Sequence, residues 1–194
     1  MRTATIERKT LETEVLVKLN LDGQGKRQID TGILFLNHML EQLASHGYFD
    51  IELKAVSKDK DPHHVLEDVA LSLGQAFEKA LGDKKGIKRY GYIVIPMDEA
   101  LTLTSIDISG RPFCGFDVPL EDEKVSDMDT ILVKHFFTSF ANSAKITLHI
   151  RLLAGEDTHH KIESAFKSFA RALRKACAID SEHPDAVPST KGVI

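Results

Sequence analysis

A motif of two adjacent histidines followed by a glutamate occurs twice in the chain, each time just after an aspartate. The first copy spans residues 61–67 and the second spans residues 157–163. In each copy the first histidine and the glutamate are four residues apart, so they share one face of a helix. The adjacent histidines point about 100° apart on that helix, which favours two different metal ions. One copy is explicable by chance, whereas two copies at the start of apolar helices predict a paired metal site.

The two motifs belong to an internal duplication. Residues that match between the two halves are His38 with His135, His63 with His159 and, further upstream, Glu12 with Glu99. The first two pairs are 97 and 96 positions apart, and the third is 87 apart. The nearly constant offset of the first two pairs, at the centre of the alignment, predicts two strand-helix-strand-helix halves related by a pseudo-twofold axis. The first structural repeat is expected at residues 1–86, and the second, which includes the C-terminal tail, at residues 87–194.

Apolar periodicity outlines the elements of each half. Alternating residues predict strands at 15–21, 49–55, 101–108 and 146–150. Apolar residues at helical spacing predict helices at 32–45, 65–80, 130–141 and 162–173. The acidic stretch 121–129 is predicted to be a loop. The tail after residue 180 contains Pro184 and Pro188 and is predicted to be extended.

Composition limits the partners and the compartment. The chain is 42% hydrophobic and 28% charged with a net charge of -4, which is ordinary for a globular protein and favours neither nucleic acid nor an anionic membrane. No apolar run approaches the length of a membrane span, and the first 14 residues lack the apolar core of a secretory signal. Cys114 and Cys177 stand alone, without a disulfide or zinc-ribbon pattern. A cytoplasmic location is expected.

The duplication supplies eight candidate metal ligands. Each half contributes one histidine from its short helix and two histidines and a glutamate from its long helix, namely His38, His63, His64, Glu67, His135, His159, His160 and Glu163. Two symmetric sites of three imidazoles and one carboxylate would use them all. This donor set suits Mn, Fe or Zn, and a six-coordinate ion such as Mn(II) is reasonable. Spacing does not assign ligands to ions. The other histidines, His46, His149 and His183, are expected to be structural or solvent-facing.

Charged residues outside this set allow two interpretations. Arg89, Arg111 and Lys191 each lie beside turn residues, where guanidinium and ammonium groups can hold a phosphate. For any one of them, a solvated surface charge is the simpler interpretation. Glu12 and Glu99 are equivalent by the duplication, and they are either acid–base groups or ordinary charges at strand edges.

Six stretches resemble imidazoleglycerol-phosphate dehydratase of histidine biosynthesis, in its monofunctional form. They lie at residues 35–40, 63–68, 109–112, 134–137, 159–163 and 188–192, and the resemblance covers essentially the whole chain. The chain departs from the family pattern at Asn37, where the family usually has aspartate. It also departs just before His63, where the segment is one residue shorter and Pro62 replaces an acidic residue. Neither departure removes a ligand.

The resemblance implies an α+β fold in which two duplicated halves of sheet and helix pack their sheets on a helical layer, as in the ribosomal protein S5 domain 2-like fold. It implies two Mn(II) ions per active site, bound by the eight ligands above. It also implies assembly into a 24-mer with active sites at subunit interfaces. Contacts with a phosphorylated imidazole substrate are implied for Glu12, Arg89, Arg111, Ser189, Thr190 and Lys191.

The implied reaction is elimination of water from D-erythro-imidazoleglycerol phosphate to give imidazole acetol phosphate. The expected route passes through a metal-bound imidazolate and a diazafulvene-like intermediate, because a bound cation lowers the pKa of the ring. Glu12 is the first candidate for the acid–base group, and Glu163 or metal-bound water is the alternative. Two other classes of protein would use the same ligands. A dinuclear metal phosphohydrolase would release inorganic phosphate, and a metal-binding assembly would show no turnover.

Overall fold

A computed structural model describes residues 1–194 of the chain. The first half contains β1 (Thr3–Lys9), β2 (Thr13–Asn20), β3 (Arg27–Asp30), α1 (Leu34–Gly47), β4 (Asp50–Ser57) and α2 (Pro62–Leu81). The second half contains β5 (Tyr90–Met97), β6 (Ala100–Asp107), β7 (Phe113–Asp117), β8 (Lys124–Val125), β9 (Met128–Asp129), α3 (Ile131–Ala144), β10 (Thr147–Ala154) and α4 (Thr158–Cys177). None of the four helices combines the length and the apolar character that crossing a membrane requires.

Each half builds a four-stranded sheet, and the two sheets have the same strand order. The first is ordered β1-β2-β4-β3 and the second β5-β6-β10-β7. Neighbouring strands are antiparallel except for the last pair of each sheet, β4 with β3 and β10 with β7, which are parallel. The shared mixed topology confirms the predicted α+β class and the duplication. The boundary between residues 86 and 87 stays a prediction.

The predicted strand-helix-strand-helix plan is incomplete, because each half has four sheet strands rather than two. The missed strands are β1, β3, β5 and β7, and all four lie at sheet edges. Edge strands have less apolar alternation to detect: β1 has one buried residue, Ala4, and β3 has none. The predicted strands are the central ones, where a strand on each side and the buried face constrain the sequence.

The helices cover one face of each sheet and join the two halves reciprocally. α2 packs on β1 and β2 and also contacts α3 of the second half, while α4 packs on β5 and β6 and contacts α1 of the first half. Pairing the long helix of each half with the short helix of the other is what a pseudo-twofold axis produces. One hydrophobic cluster of 49 buried residues contains members of both halves. Phenyl rings cross the boundary in it, as in the contact of Phe77 with Phe140 at 5.4 Å.

The contact between α2 and α3 depends on Gly74. A Cβ at this position would lie 2.7 Å from the carbonyl oxygen of Phe140 and 2.7 Å from the Cβ of Ser143. The glycine therefore sets how closely the two helices approach.

Replacing Gly74 with leucine should lower the free energy of unfolding by about 3 kcal/mol, because a side chain there forces the two helices apart. Gln75→Leu is the matched control, since Gln75 is the exposed neighbour on the same helix. Denaturant unfolding of both variants measures the difference. Equal stability of the two variants would contradict the close approach.

Both long helices begin at the aspartate of the histidine motif. The Asp61 carboxylate accepts a hydrogen bond from the backbone N–H of His63 at 2.8 Å, and Asp157 accepts one from His160 at 3.0 Å. These are N-cap bonds, which satisfy backbone donors in the first turn. Pro62 occupies the first helical position, where its missing N–H costs nothing. The departure from the family pattern at Pro62 therefore suits the helix start.

The acidic stretch 121–129, predicted to be a loop, instead forms the short hairpin of β8 and β9. Its Asp127 caps α1, which has no capping side chain of its own. The carboxylate accepts hydrogen bonds from the backbone N–H groups of Leu34 at 2.6 Å and Phe35 at 2.9 Å. Burial raises the pKa of Asp127, but these two N–H donors outweigh it and the net pKa is lowered. This long-range cap has no local sequence signal.

The C-terminal tail, predicted to be extended, is a series of turns. Backbone bonds join Ala186 N–H to the carbonyl of His183 and Gly192 N–H to the carbonyl of Ser189. Pro184 follows His183, which is the position in a turn that its fixed φ favours. Proline therefore marks turns here rather than an extended segment.

Candidate metal centre

His38 of α1 and His159 of α4 direct their Nε2 atoms at the same oxygen of Glu163. The distances from Glu163 Oε2 are 3.3 Å to His38 and 3.1 Å to His159. Phe35 packs edge-on against His159 with 5.1 Å between ring centroids, which supports the imidazole from behind. One donor atom from each of the three residues lies within 4.8 Å of the others. We call His38, His159 and Glu163 the first trio.

His63, Glu67 and His135 form a second trio, with donor atoms also within 4.8 Å of one another. His135 Nε2 is 3.7 Å from Glu67 Oε1, and the rings of His63 and His135 are 4.5 Å apart. The Nε2 atom of His135 is buried and has no hydrogen-bond partner. Burying a polar atom without a partner destabilises the folded protein, so a ligand bound at this nitrogen would be stabilising.

Each trio takes members from both halves of the chain. The short helix supplies one histidine, and the long helix of the other half supplies a histidine and a glutamate. This division follows from the reciprocal packing of α1 with α4 and of α2 with α3. The structure thus brings six of the eight predicted ligands into two groups of three, a partition that residue spacing did not assign.

His64 and His160 lie apart from the trios, each against a carboxylate. His64 Nδ1 is 2.6 Å from Asp59 Oδ2, and His160 Nδ1 is 2.7 Å from Glu99 Oε2. The carboxylate partner raises the pKa of each imidazole. The backbone N–H of Asp157, followed by His160, lowers the pKa of Glu99 to about 2. In both histidines Nε2 is the ring nitrogen farther from this carboxylate, and it lies 3.9 Å from Glu12 Oε1 in His64 and 3.7 Å from Asp98 Oδ2 in His160.

The two trios fit a divalent transition metal. Each offers two imidazoles and one carboxylate, a donor set that Mn, Fe and Zn accept. Three ligands leave coordination positions for a further protein ligand and for substrate. The unpartnered Nε2 of His135 is the feature of this structure that a metal ion would satisfy.

Three polar residues beside the first trio were missed by the sequence analysis as site residues. Lys167 Nζ lies 2.6 Å from Glu163 Oε1, Gln42 lies 3.4 Å from His38 Nδ1, and His46 Nε2 lies 3.1 Å from Gln42. All are spaced by four residues from their partners, which is a helical signal that could have found them. Burial raises the pKa of Glu163, but the Lys167 ammonium and the trio histidines outweigh it, so the net pKa is lowered.

The three histidines predicted to lie outside the metal site, His46, His149 and His183, have surroundings that differ from one another. Burial, followed by the nearby Lys167 and Arg171, lowers the pKa of His46. His149 is exposed on the outer face of the second sheet, where its ring lies 5.3 Å from that of Phe113. His183 is exposed in the tail.

The residues predicted to hold a phosphate line one cleft of about 590 Å³. Its polar members are Arg89, Ser109, Arg111, Ser189, Thr190 and Lys191. Arg89 is held by Asp107 at 2.6 Å and 3.1 Å and donates to the carbonyl of Pro188 at 2.7 Å. Asp107 raises the pKa of Arg89. Arg111 is 68% exposed at its side chain, so its guanidinium is the more available one.

Within one chain the cleft and the first trio lie at opposite ends of α4. Arg89 N–H donates to the carbonyl of Ala176 near the C-terminus of the helix, whereas His159 of the first trio is in its first turn. At a rise of 1.5 Å per residue these two positions are about 26 Å apart. Glu12 lies at neither end of α4 but beside His64, with Oε1 3.9 Å from His64 Nε2.

Comparisons with known proteins identify the family of this chain. Residues 31–173 match the family described as imidazoleglycerol-phosphate dehydratase. A protein of that name from Clostridium kluyveri is 52% identical over the whole of both chains. One from Prochlorococcus marinus strain AS9601 is 48% identical and aligns with all of this chain and 97% of its own length.

Two solved structures share the fold. The crystal structure of imidazoleglycerol-phosphate dehydratase from Staphylococcus aureus N315 superposes with a TM-score of 0.83 at 38% identity, covering 91% of this chain and 99% of that one. The Pyrococcus furiosus enzyme, solved in complex with (S)-C348, gives a TM-score of 0.84 at 35% identity, covering 97% of this chain and all of that one. From its sequence, its sheet topology and these matches, the chain belongs to the imidazoleglycerol-phosphate dehydratase family of hydro-lyases in histidine biosynthesis.

Proposed function

We propose that the chain removes water from D-erythro-imidazoleglycerol phosphate to give imidazole acetol phosphate, with two Mn(II) ions per active site. The observation that carries the metal requirement is the pair of trios shared between the halves, one of which contains the buried, unpartnered Nε2 of His135. The first trio would hold one ion and the second trio the other. His64 and His160 would supply the remaining imidazole ligands.

The two trios would hold the ions, and a bound divalent cation would supply the positive charge that lowers the pKa of a bound imidazole ring. Glu163 and Glu12 are the two carboxylates that are candidates for the acid–base group, and their contacts differ. Glu163 has one oxygen at Lys167 and the other at the trio histidines. Glu12 makes no side-chain hydrogen bond and is 52% exposed at its side chain. Of the two acid–base candidates, these contacts favour Glu12.

We propose that the active site is shared between subunits of a 24-mer. An imidazole ring, three carbons and a phosphate do not span the roughly 26 Å along α4 that separates His159 of the first trio from the phosphate cleft in one chain. His64 and His160 also lie outside the trios of their own chain. A neighbouring subunit that brings its cleft and its second histidines to the trios would complete the set.

The outer face of the second sheet supports self-association. Its exposed side chains include Tyr92 at 73%, Phe113 at 53% and Leu153 at 52% exposure. The outer face of the first sheet is charged instead, with Lys18 and Glu52 paired at 2.8 Å. Exposed large apolar side chains on one sheet are typical of a surface that another protein covers.

Replacing Arg111 with alanine should raise KM for the substrate by about 10- to 100-fold, the effect of losing one or more hydrogen bonds to a charged group. The value of kcat should change little if the guanidinium binds the phosphate equally throughout the reaction. Arg27→Ala is the control, because Arg27 is an exposed residue of β3 in the first sheet and does not line the cleft. A fall in kcat with unchanged KM would place Arg111 at the reacting carbons instead.

Phosphorus NMR of the reaction tests the function directly. Chelator-treated protein is mixed with imidazoleglycerol phosphate and recorded before and after addition of Mn(II). A new phosphate-ester signal that appears only with the metal supports a metal-dependent dehydratase. Release of inorganic phosphate would indicate the dinuclear phosphohydrolase instead. Tight metal binding with an unchanged spectrum would indicate a metal-binding assembly without turnover.

We propose a cytoplasmic location for this activity. Both cysteines are free thiols, and Cys177 is buried. Burial raises the pKa of Cys177 to about 12, which keeps the thiol protonated and unreactive. Two unpaired cysteines suit a reducing compartment.

A further inference from the structure

The second histidines of the two motifs have equivalent surroundings built from non-equivalent residues. Each places Nδ1 against one carboxylate oxygen, at 2.6 Å for His64 and 2.7 Å for His160. For His160 the carboxylate is Glu99, in the turn between β5 and β6. For His64 it is Asp59, in the loop between β4 and α2. The residue that matches Glu99 by the duplication is Glu12, and it does not occupy this position.

The loop that precedes each long helix explains why the carboxylate beside the histidine comes from a different position in each half. In the second half, Glu99 comes from outside the loop and accepts hydrogen bonds from the backbone N–H groups of Asp157 at 2.9 Å and Glu156 at 3.2 Å. In the first half the carboxylate belongs to the loop itself. Asp59 Oδ1 accepts from the backbone N–H of Asp61 at 3.0 Å and from the hydroxyl of Ser57 at 3.2 Å.

The two carboxylate oxygens of Asp59 therefore have different partners. Oδ1 holds the loop, and Oδ2 is left for the imidazole. A carboxylate accepts only, so the ring nitrogen that faces it carries the proton. The opposite nitrogen of a neutral imidazole is then unprotonated and able to bind a metal.

We propose that Asp59 is the positioning residue of His64, and that it takes the role that Glu99 has for His160. Its carboxylate holds the proton of His64 on Nδ1 and presents Nε2 for ligation. Glu12 is thereby left without a hydrogen bond to its side chain and is available to substrate. The ligation part of this inference rests on the metal site proposed above. The tautomer of His64 does not, because it is a property of the metal-free chain.

Asp59→Asn tests the inference with little change of shape. The amide oxygen can keep the bonds to Asp61 and Ser57, while the amide NH₂ places a donor against Nδ1 of His64. Nitrogen NMR of solid, histidine-labelled, metal-free protein at about pH 9, where imidazole is neutral, reports which ring nitrogen is protonated. His64→Gln identifies the signal of His64.

The expected result is that Asp59→Asn moves the His64 proton from Nδ1 to Nε2 and weakens Mn(II) binding by about 10- to 100-fold, measured by the paramagnetic resonance of free Mn(II). Glu12→Gln is the matched control, since it removes the carboxylate 3.9 Å from Nε2 of His64 instead, and it should leave the tautomer and the Mn(II) affinity unchanged. Glu99→Gln should move the proton of His160 and leave that of His64 in place.

An unchanged His64 tautomer in Asp59→Asn would overturn the inference, as would a change caused by Glu12→Gln. Asp59→Ala removes the acceptor without adding a donor, so it should give a mixture of the two tautomers. This second variant keeps the inference testable if the asparagine disturbs the loop, which thermal unfolding detects. A tautomer change without any loss of Mn(II) affinity would refute the metal-ligand role of His64 while leaving its orientation by Asp59 intact.

Discussion

Replacement of His135 by alanine is expected to lower Mn(II) affinity more than 100-fold at the second trio and to reduce turnover by roughly 10³-fold or more. The first figure exceeds the range of about 10–100-fold found when only an orienting partner of a ligand is lost. The second corresponds to the several kcal/mol that a metal ion contributes to stabilising charge in a transition state. His135 is the most informative ligand to replace, because its Nε2 is buried and has no hydrogen-bond partner in the protein.

The measurement combines metal content after gel filtration with steady-state kinetics. His183→Ala is the control, since His183 is exposed and lies in neither trio nor the phosphate cleft. Thermal unfolding of metal-free protein separates metal loss from unfolding. Full metal content and normal turnover in the His135 variant would remove the second trio from the active site.

Replacement of Glu12 by glutamine is expected to lower kcat by about 10²- to 10⁴-fold, the contribution of a positioned acid–base group. Metal content should stay unchanged, because Glu12 makes no hydrogen bond to a ligand and its nearest approach to His64 is 3.9 Å. Glu99→Gln is the informative comparison. It occupies the matching position but holds His160 and the loop before α4, so its effect should be seen first in Mn(II) affinity.

Excess Mn(II) distinguishes the two variants. It should restore much of the activity of Glu99→Gln by mass action, and it should restore none of the activity of Glu12→Gln. Recovery of the Glu12 variant with added metal would show that Glu12 supports the metal site rather than proton transfer.

The sequence predicted the centre of this structure better than its periphery. The duplicated motifs and the central strands carry strong periodic signals, so the halves, the helices and the eight candidate ligands could be derived from spacing alone. The edge strands β1 and β3 have almost no buried residues, and they went undetected. The division of ligands into trios depends on which helices of the two halves meet, and local patterns do not contain that information.

Long-range polar contacts were also beyond the sequence. Asp127 caps a helix start that is 93 residues earlier in the chain, and no local motif announces it. The duplication suggested that Glu12 and Glu99 do the same work, yet their surroundings differ because Asp59 already occupies the place beside His64. Arg89 was grouped with Arg111 as a phosphate ligand, whereas its contacts with Asp107 and Pro188 show that it also holds the tail. The phosphate roles of both arginines stay predictions.

The sharing of each trio between the two halves bears on how such a chain could arise. A half-length ancestor that paired with a copy of itself across the same axis would already have built two identical trios, each from the short helix of one copy and the long helix of the other. Metal binding therefore did not need the gene fusion. Fusion allows the two halves to diverge in sequence. Glu12 in one half could then take an acid–base role, while its counterpart Glu99 in the other half still holds a histidine and a loop.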